Sequence, residues 1–179
     1  MKHVLCFGDS NTWGLIPGTC KRYDEHTRWT GILQDELGAE WRIHENGQNG
    51  RTTVFPEPGK DFMTGLGALP YALDTLRPLD AIIIMLGTND LLCGVSPAET
   101  ARRMEGFLDR LRDCDLPLLL VAPPLMQRGT WVESEALLEN ARALTPLYRE
   151  PAERCDAFFC DTAAWDIPVV FDGVHFSED

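Results

Sequence analysis

Apolar positions along this chain fall into two alternating arrangements, short unbroken runs and longer stretches with helical spacing. His3 to Phe7 is a short apolar run ending at Gly8, which predicts a buried strand. Trp29, Ile32, Leu33 and Leu37 recur at helical spacing, and Gly38 stops that helix. Trp41 to His44 predicts a second strand that gives way at Asn46-Gly47. Leu79 to Leu86, with Ile82-Ile83-Ile84-Met85 at its centre, is apolar on both faces, as in a strand covered on both sides. A helix start follows: Ser96 can cap, Pro97 suits the first helical position, and Glu99 completes a capping box. Met104, Phe107, Leu108 and Leu111 carry its apolar stripe. Leu118 to Ala122 predicts the next strand, closed by Pro123-Pro124. A further helix is expected from about Glu133, with Pro146 expected to kink or break it. Ala157 to Cys160 predicts a last strand.

Strand and helix alternating at these lengths imply right-handed crossovers and a parallel sheet with helices on both faces. The expected architecture is a three-layer α/β domain spanning residues 1–179, with no repeat, low-complexity tract or linker. Ligands of such sheets bind beyond the carboxyl ends of the strands.

Charge narrows the function classes. Among 179 residues, 28 Asp and Glu outnumber 16 Lys and Arg, a formal charge of -12 that repels phosphate backbones and anionic lipid. A nucleic-acid binder or a basic membrane-surface protein is therefore not expected. No apolar stretch approaches the length of a membrane span. Lys2-His3 leads directly into the first strand, so no secretory leader is expected. The six cysteines include no CxxC pair and no spacing typical of zinc sites. The expectation is reduced thiols in a cytoplasmic protein.

Four segments place polar or glycine residues just after strands: Gly8-Asp9-Ser10, Asn46 to Thr52, Gly87-Thr88-Asn89-Asp90 and Asp172-Gly173-Val174-His175. A parallel sheet would bring them to one edge. Ser10, directly after the first strand, is either a helix cap or a nucleophile presented at that edge. Asp172 and His175 are three positions apart, so one turn of chain can set the carboxylate against the imidazole. That contact fixes the tautomer and frees the other ring nitrogen to take a proton from Ser10. A serine nucleophile also needs donors aimed at the developing oxyanion. Gly50 can present an unobstructed N–H, Asn89 its side-chain amide and Ser10 its own N–H. Alternatively, Gly50 serves only a positive φ angle and Asn89 only its own turn.

His3, His26 and His44 lack a comparable neighbouring arrangement and read as structural or surface residues. Asp9 and Asp90 read as loop-bracing carboxylates. Trp13 and Leu91-Leu92 can line an apolar acyl pocket or simply belong to the core; Pro123-Pro124 and the loop through Trp131 can form another wall. A competing reading makes Asp9, Asn89, Asp172 and His175 metal ligands, although no second histidine lies near these segments.

Taken together, Gly8-Asp9-Ser10, Gly50, Gly87-Thr88-Asn89-Asp90 and Asp172-Gly173-Val174-His175 resemble, in order, the four sequence blocks of the SGNH (GDSL-type) hydrolases. Leu5-Cys6-Phe7, Thr12-Trp13-Gly14, Arg28-Trp29-Thr30-Gly31, Arg51-Thr52-Thr53 and Ile83-Ile84-Met85-Leu86 make the chain more similar to the bacterial arylesterase/acyltransferase branch. That resemblance implies a flavodoxin-like, five-stranded parallel sheet and hydrolysis of small esters with neither metal nor cofactor. Ser10 would be the nucleophile, His175 the base and Asp172 its orienter, with Ser10, Gly50 and Asn89 as the oxyanion hole. It further implies a short-chain acyl substrate, some acyl transfer to alcohols, and a homo-oligomer. A carbohydrate O-deacetylase would use the same machinery.

Two departures stand out. Asn11 occupies a position where many relatives carry Leu. The sequence ends at Ser177-Glu178-Asp179, so the usual C-terminal helix is expected to be missing. Apolar surface exposed there would invite association, and a loosely held His175 would leave a domain that binds without catalysing.

Overall fold

The computed structural model describes residues 1–54 and 64–178. Its elements in chain order are β1 (Lys2–Gly8), α1 (Ser10–Trp13), α2 (Trp29–Leu37), β2 (Trp41–Gly47), α3 (Gly65–Thr75) and β3 (Ala81–Met85). There follow α4 (Thr88–Leu92), α5 (Pro97–Asp109), β4 (Leu118–Val121), α6 (Glu135–Arg154) and β5 (Phe158–Cys160). The five strands form one sheet in the order β2-β1-β3-β4-β5. Every neighbouring pair is parallel, with Gly8 opposite both Gly47 and Met85.

The twofold alternation of side chains along a strand explains how the sheet is covered. On β1, Leu5 and Phe7 enter one core cluster while Val4 and Cys6 enter another. On β3, Ile82 and Ile84 join the first, and Ala81 and Ile83 pack against the second. The larger cluster gathers Met104, Phe107 and Leu108 of α5 with Leu138, Leu144 and Tyr148 of α6. The smaller lies against Trp29 and Leu33 of α2. Each fully buried Leu, Ile or Phe contributes roughly 1.5–3 kcal/mol relative to exposure. The central strands are therefore anchored from both sides, and their carboxyl ends are fixed reference points. The chain leaves β1 for β2 on one side and reaches β3 on the other, which puts the topological switch point, and its crevice, at the ends of β1 and β3.

Two features differ from the sequence expectation. α6 runs unbroken from Glu135 to Arg154 through both Pro146 and Pro151. The carbonyls those prolines leave without an N–H partner belong to Arg142 and Leu147, which are exposed residues where water can satisfy them. α3 carries no expectation from the pattern; its start is set by Thr64, whose hydroxyl accepts from Gly67 N at 2.9 Å. No helix among the described residues is long and apolar enough to cross a membrane.

Candidate active site

β1 ends at Gly8, and Asp9 turns the chain into α1 by accepting a hydrogen bond from Asn11 N at 3.0 Å. Ser10 is thereby the first residue of α1, beyond the carboxyl end of a central strand. Its Oγ lies 2.9 Å from His175 Nε2. On the far side of the ring, Nδ1 lies 2.8 Å from Asp172 Oδ2. The other oxygen, Asp172 Oδ1, accepts from Val174 N at 2.9 Å and from His175 N at 3.0 Å. With Asp172 as a carboxylate, Nδ1 carries the proton and Nε2 is the acceptor for the Ser10 hydroxyl. Ser10, Asp172 and His175 are 5, 1 and 2% exposed, so the line is shielded from competing water.

The oxyanion-hole candidates converge on the same edge. Asn89 sits on α4 immediately after β3, and one of its Nδ2 hydrogens is held by Arg51 O at 3.0 Å. Gly50 is exposed and has a φ of 75°, in the left-handed region that a β-carbon disfavours. Neither Ser10 N nor Gly50 N donates to any described residue. The Asn89–Arg51 bond ties the segment that carries Gly50 to the end of β3, next to the carboxyl end of β1 from which Ser10 follows.

The residue that ties these segments together, Arg51, carries no role in the sequence analysis beyond its place in Arg51-Thr52-Thr53. Arg51 is 3% exposed. Its Nη1 donates to Gly8 O at 2.8 Å and Asn46 O at 2.6 Å, and its Nη2 to Asn46 Oδ1 at 3.0 Å and Gln48 Oε1 at 3.1 Å. Its guanidinium carbon lies 4.2 Å from the centre of the Phe7 ring. Burial pulls the Arg51 pKa down to about 10, opposed by the nearby Asp9. Asp9, fully enclosed, is pushed up to about 7, chiefly by burial. Asp90 is likewise raised by burial and accepts from Thr53 N at 2.9 Å and Thr53 Oγ1 at 2.6 Å. Both aspartates brace loops.

The remaining candidates separate. Leu91 is 4% exposed and packs in the larger core cluster. Trp13 is half-buried, with the Arg22 guanidinium 5.3 Å from its ring centre. Trp131 stands edge-on to the His175 ring at a centroid distance of 5.1 Å and remains 53% exposed. His3 and His44 pair with each other at 2.9 Å near the opposite end of β1, and His26 meets Asp35 at the surface. Among the described residues, no group of three or more His, Cys, Asp and Glu side chains is placed to hold a metal ion.

A parallel five-stranded sheet with a serine, a histidine and a carboxylate aligned beyond its switch point defines a hydrolase of the three-layer α/β type. The model of the GDSL-like lipase/acylhydrolase family matches residues 6–179, and the chain belongs to that family; it is a carboxylic ester hydrolase of the SGNH type. The native aryl esterase of M. smegmatis is similar at 31% identity and a TM-score of 0.89, covering 99% of this chain and 92% of that one. Est24, a carbohydrate acetylesterase from Sinorhizobium meliloti, is similar at 34% identity and a TM-score of 0.88, with the same coverage of 99% and 92%. AlinE4, an SGNH-hydrolase family esterase, is more distant, with 28% identity, a TM-score of 0.69 and coverage of 97% and 85%. Comparison with curated proteins by sequence gives no match.

Proposed function

We propose that this chain hydrolyses short-chain, acetyl-type esters through an acyl-enzyme on Ser10. The observation that carries the reading is the buried Ser10–His175–Asp172 line at 2.9 and 2.8 Å. His175 Nε2 takes the hydroxyl proton as Ser10 Oγ attacks the ester carbonyl, and the carbonyl electrons move onto oxygen. Ser10 N–H, Gly50 N–H and the Asn89 amide stabilise that oxyanion, each donor being worth on the order of a hundred- to a thousandfold in rate. Collapse breaks the bond to the alkoxy oxygen, which leaves as the alcohol with the proton from His175. Water then repeats the sequence on the acyl-enzyme, and an alcohol in its place gives acyl transfer. Asp172 keeps the imidazole in the required tautomer and stabilises its cationic form.

The deep seat of Ser10 favours a small acyl group, with the half-buried Trp13 as a candidate for its wall. A carbohydrate acetyl ester is the second reading, favoured by the exposed Trp131 indole beside His175, a flat apolar surface on which a sugar ring can lie. The six cysteines, none in a disulfide, fit a reducing, cytoplasmic setting.

The test is p-nitrophenyl acetate turnover in EDTA by wild type and Ser10→Ala, with mass spectrometry after fluorophosphonate treatment. The expected result is EDTA-resistant turnover, a label on Ser10, and at least about a thousandfold loss in the variant. Turnover that survives Ser10→Ala, or is abolished by EDTA, overturns the proposal. Acetylated monosaccharides assayed beside aryl acetates separate the two substrate readings by kcat/KM.

A further inference from the structure

His175 lies outside any regular strand or helix, yet it must stay within hydrogen-bond reach of a serine 165 positions away. Most bonds that order its loop are internal or lead elsewhere. Asp172 Oδ1 gathers Val174 N and His175 N, Val170 N donates to His175 O at 2.9 Å, and Gln127 N donates to Gly173 O at 2.9 Å. These bonds define the shape of the loop but not its distance from α1.

Between residues 172–176 and α1, the described hydrogen bonds are the Ser10–His175 contact itself and two made by Asn11. Asn11 Nδ2 donates to Val174 O at 3.1 Å, and Asn11 Oδ1 accepts from Phe176 N at 3.1 Å. One side-chain amide therefore engages the backbone on both sides of His175, using its donor and acceptor as a neighbouring strand would. Asn11 is 7% exposed, and its own N–H is held by Asp9 Oδ1 at 3.0 Å. The clasp thus starts from a backbone already fixed to the end of β1. Leucine has nearly the same shape but neither bond.

We infer that Asn11 is a positioning residue that sets the His175 imidazole against Ser10 by clasping Val174 O and Phe176 N. The inference rests on the proposed roles of Ser10 and His175. Asn11 touches no reacting atom; it acts by restricting where Nε2 sits when Oγ attacks. Misplacement on the scale of an ångström is enough to slow a reaction about a hundredfold.

The experiment compares wild type, Asn11→Leu, Asn11→Asp and Ser10→Ala for p-nitrophenyl acetate turnover, fluorophosphonate labelling rate and Tm. Asn11→Leu is expected to lower kcat roughly ten- to a hundredfold with KM changed less than about twofold, and to slow labelling by the same factor. Asn11→Asp keeps the acceptor but cannot donate when ionised. It is expected to fall in the same direction and replaces the leucine variant if that one fails to fold. In wild type, the Phe176 amide should exchange its hydrogen slowly. A folded variant with wild-type kcat, a fall in Tm with kcat unchanged well below it, or unprotected Phe176 exchange each overturns the inference. If Ser10→Ala retains turnover, the esterase reading itself fails. If Ser10→Ala is dead while Asn11→Leu is undiminished, only the positioning role is lost.

Discussion

The two halves of the Ser10–His175 pair are held by different physics. Ser10 stands two residues beyond the end of a central strand whose alternate side chains are packed on both faces of the sheet. Its position follows from ladder bonds to β2 and β3 and from hydrophobic burial, so it is as stable as the fold. His175 stands on an irregular segment, 2% exposed, held by a carboxylate, a few backbone bonds and the neighbouring loop through Gly129 to Trp131. Trp131 N donates to Asp172 O at 3.1 Å, and Thr130 N to Phe171 O at 3.0 Å. The lesson is that disturbing the serine side should cost stability, whereas disturbing the histidine side should cost rate while the fold survives.

The strongest way to separate the two is Asp172→Asn. The amide oxygen can still accept from Val174 N and His175 N, so the loop keeps its shape, but the amide now donates toward Nδ1 and favours the wrong tautomer. A roughly ten-thousandfold drop in kcat with Tm nearly unchanged is expected. A comparable collapse in Tm would show that the histidine side also carries the fold.

On the serine side, Asp9 links stability to pH. The folded carboxyl titrates at about 7 against an ordinary value of 3.8, because burial disfavours the charge. Between those values the folded chain holds the proton that the unfolded chain has lost. Stability is therefore fully present below the lower value and declines as pH rises through the window, by up to about 1.4 kcal/mol per pH unit. Asp9→Asn keeps an oxygen for Asn11 N and should flatten that decline, read from urea melts at about pH 5 and about pH 7. Equal slopes for the two proteins would place the titration elsewhere.

A smaller effect is expected from Gly129→Ala. A β-carbon there would fall onto the backbone of Asp172 and Gly173, forcing the two loops apart. About 1–2 kcal/mol of stability and roughly tenfold in kcat should be lost. Unchanged kinetics would mean that the His175 loop keeps its place without close contact to its neighbour.

The sheet was legible because strands covered on both faces, such as Ile82-Ile83-Ile84-Met85, read as continuous apolar runs. The blocks of site residues were legible for a related reason: Ser10, Gly50, Asn89 and His175 follow strands or sit in short glycine- or aspartate-marked turns. α3 was not, since Pro70 and three small residues in its first turns blur the helical period. A kink or break was expected in α6 at Pro146 because a proline's lost bond looks like a break until it is known which carbonyl faces water. Arg51 and Asn11 were hidden more deeply. The partners of the Asn11 side chain and two of the four acceptors of Arg51 are backbone groups, which have no residue signature, and Asn11 reaches residues 163 and 165 positions away.

That separation also bears on assembly. The Ser10–His175 contact spans 165 positions, so no local stretch of chain can build it, and it comes together only with the sheet that lies between them.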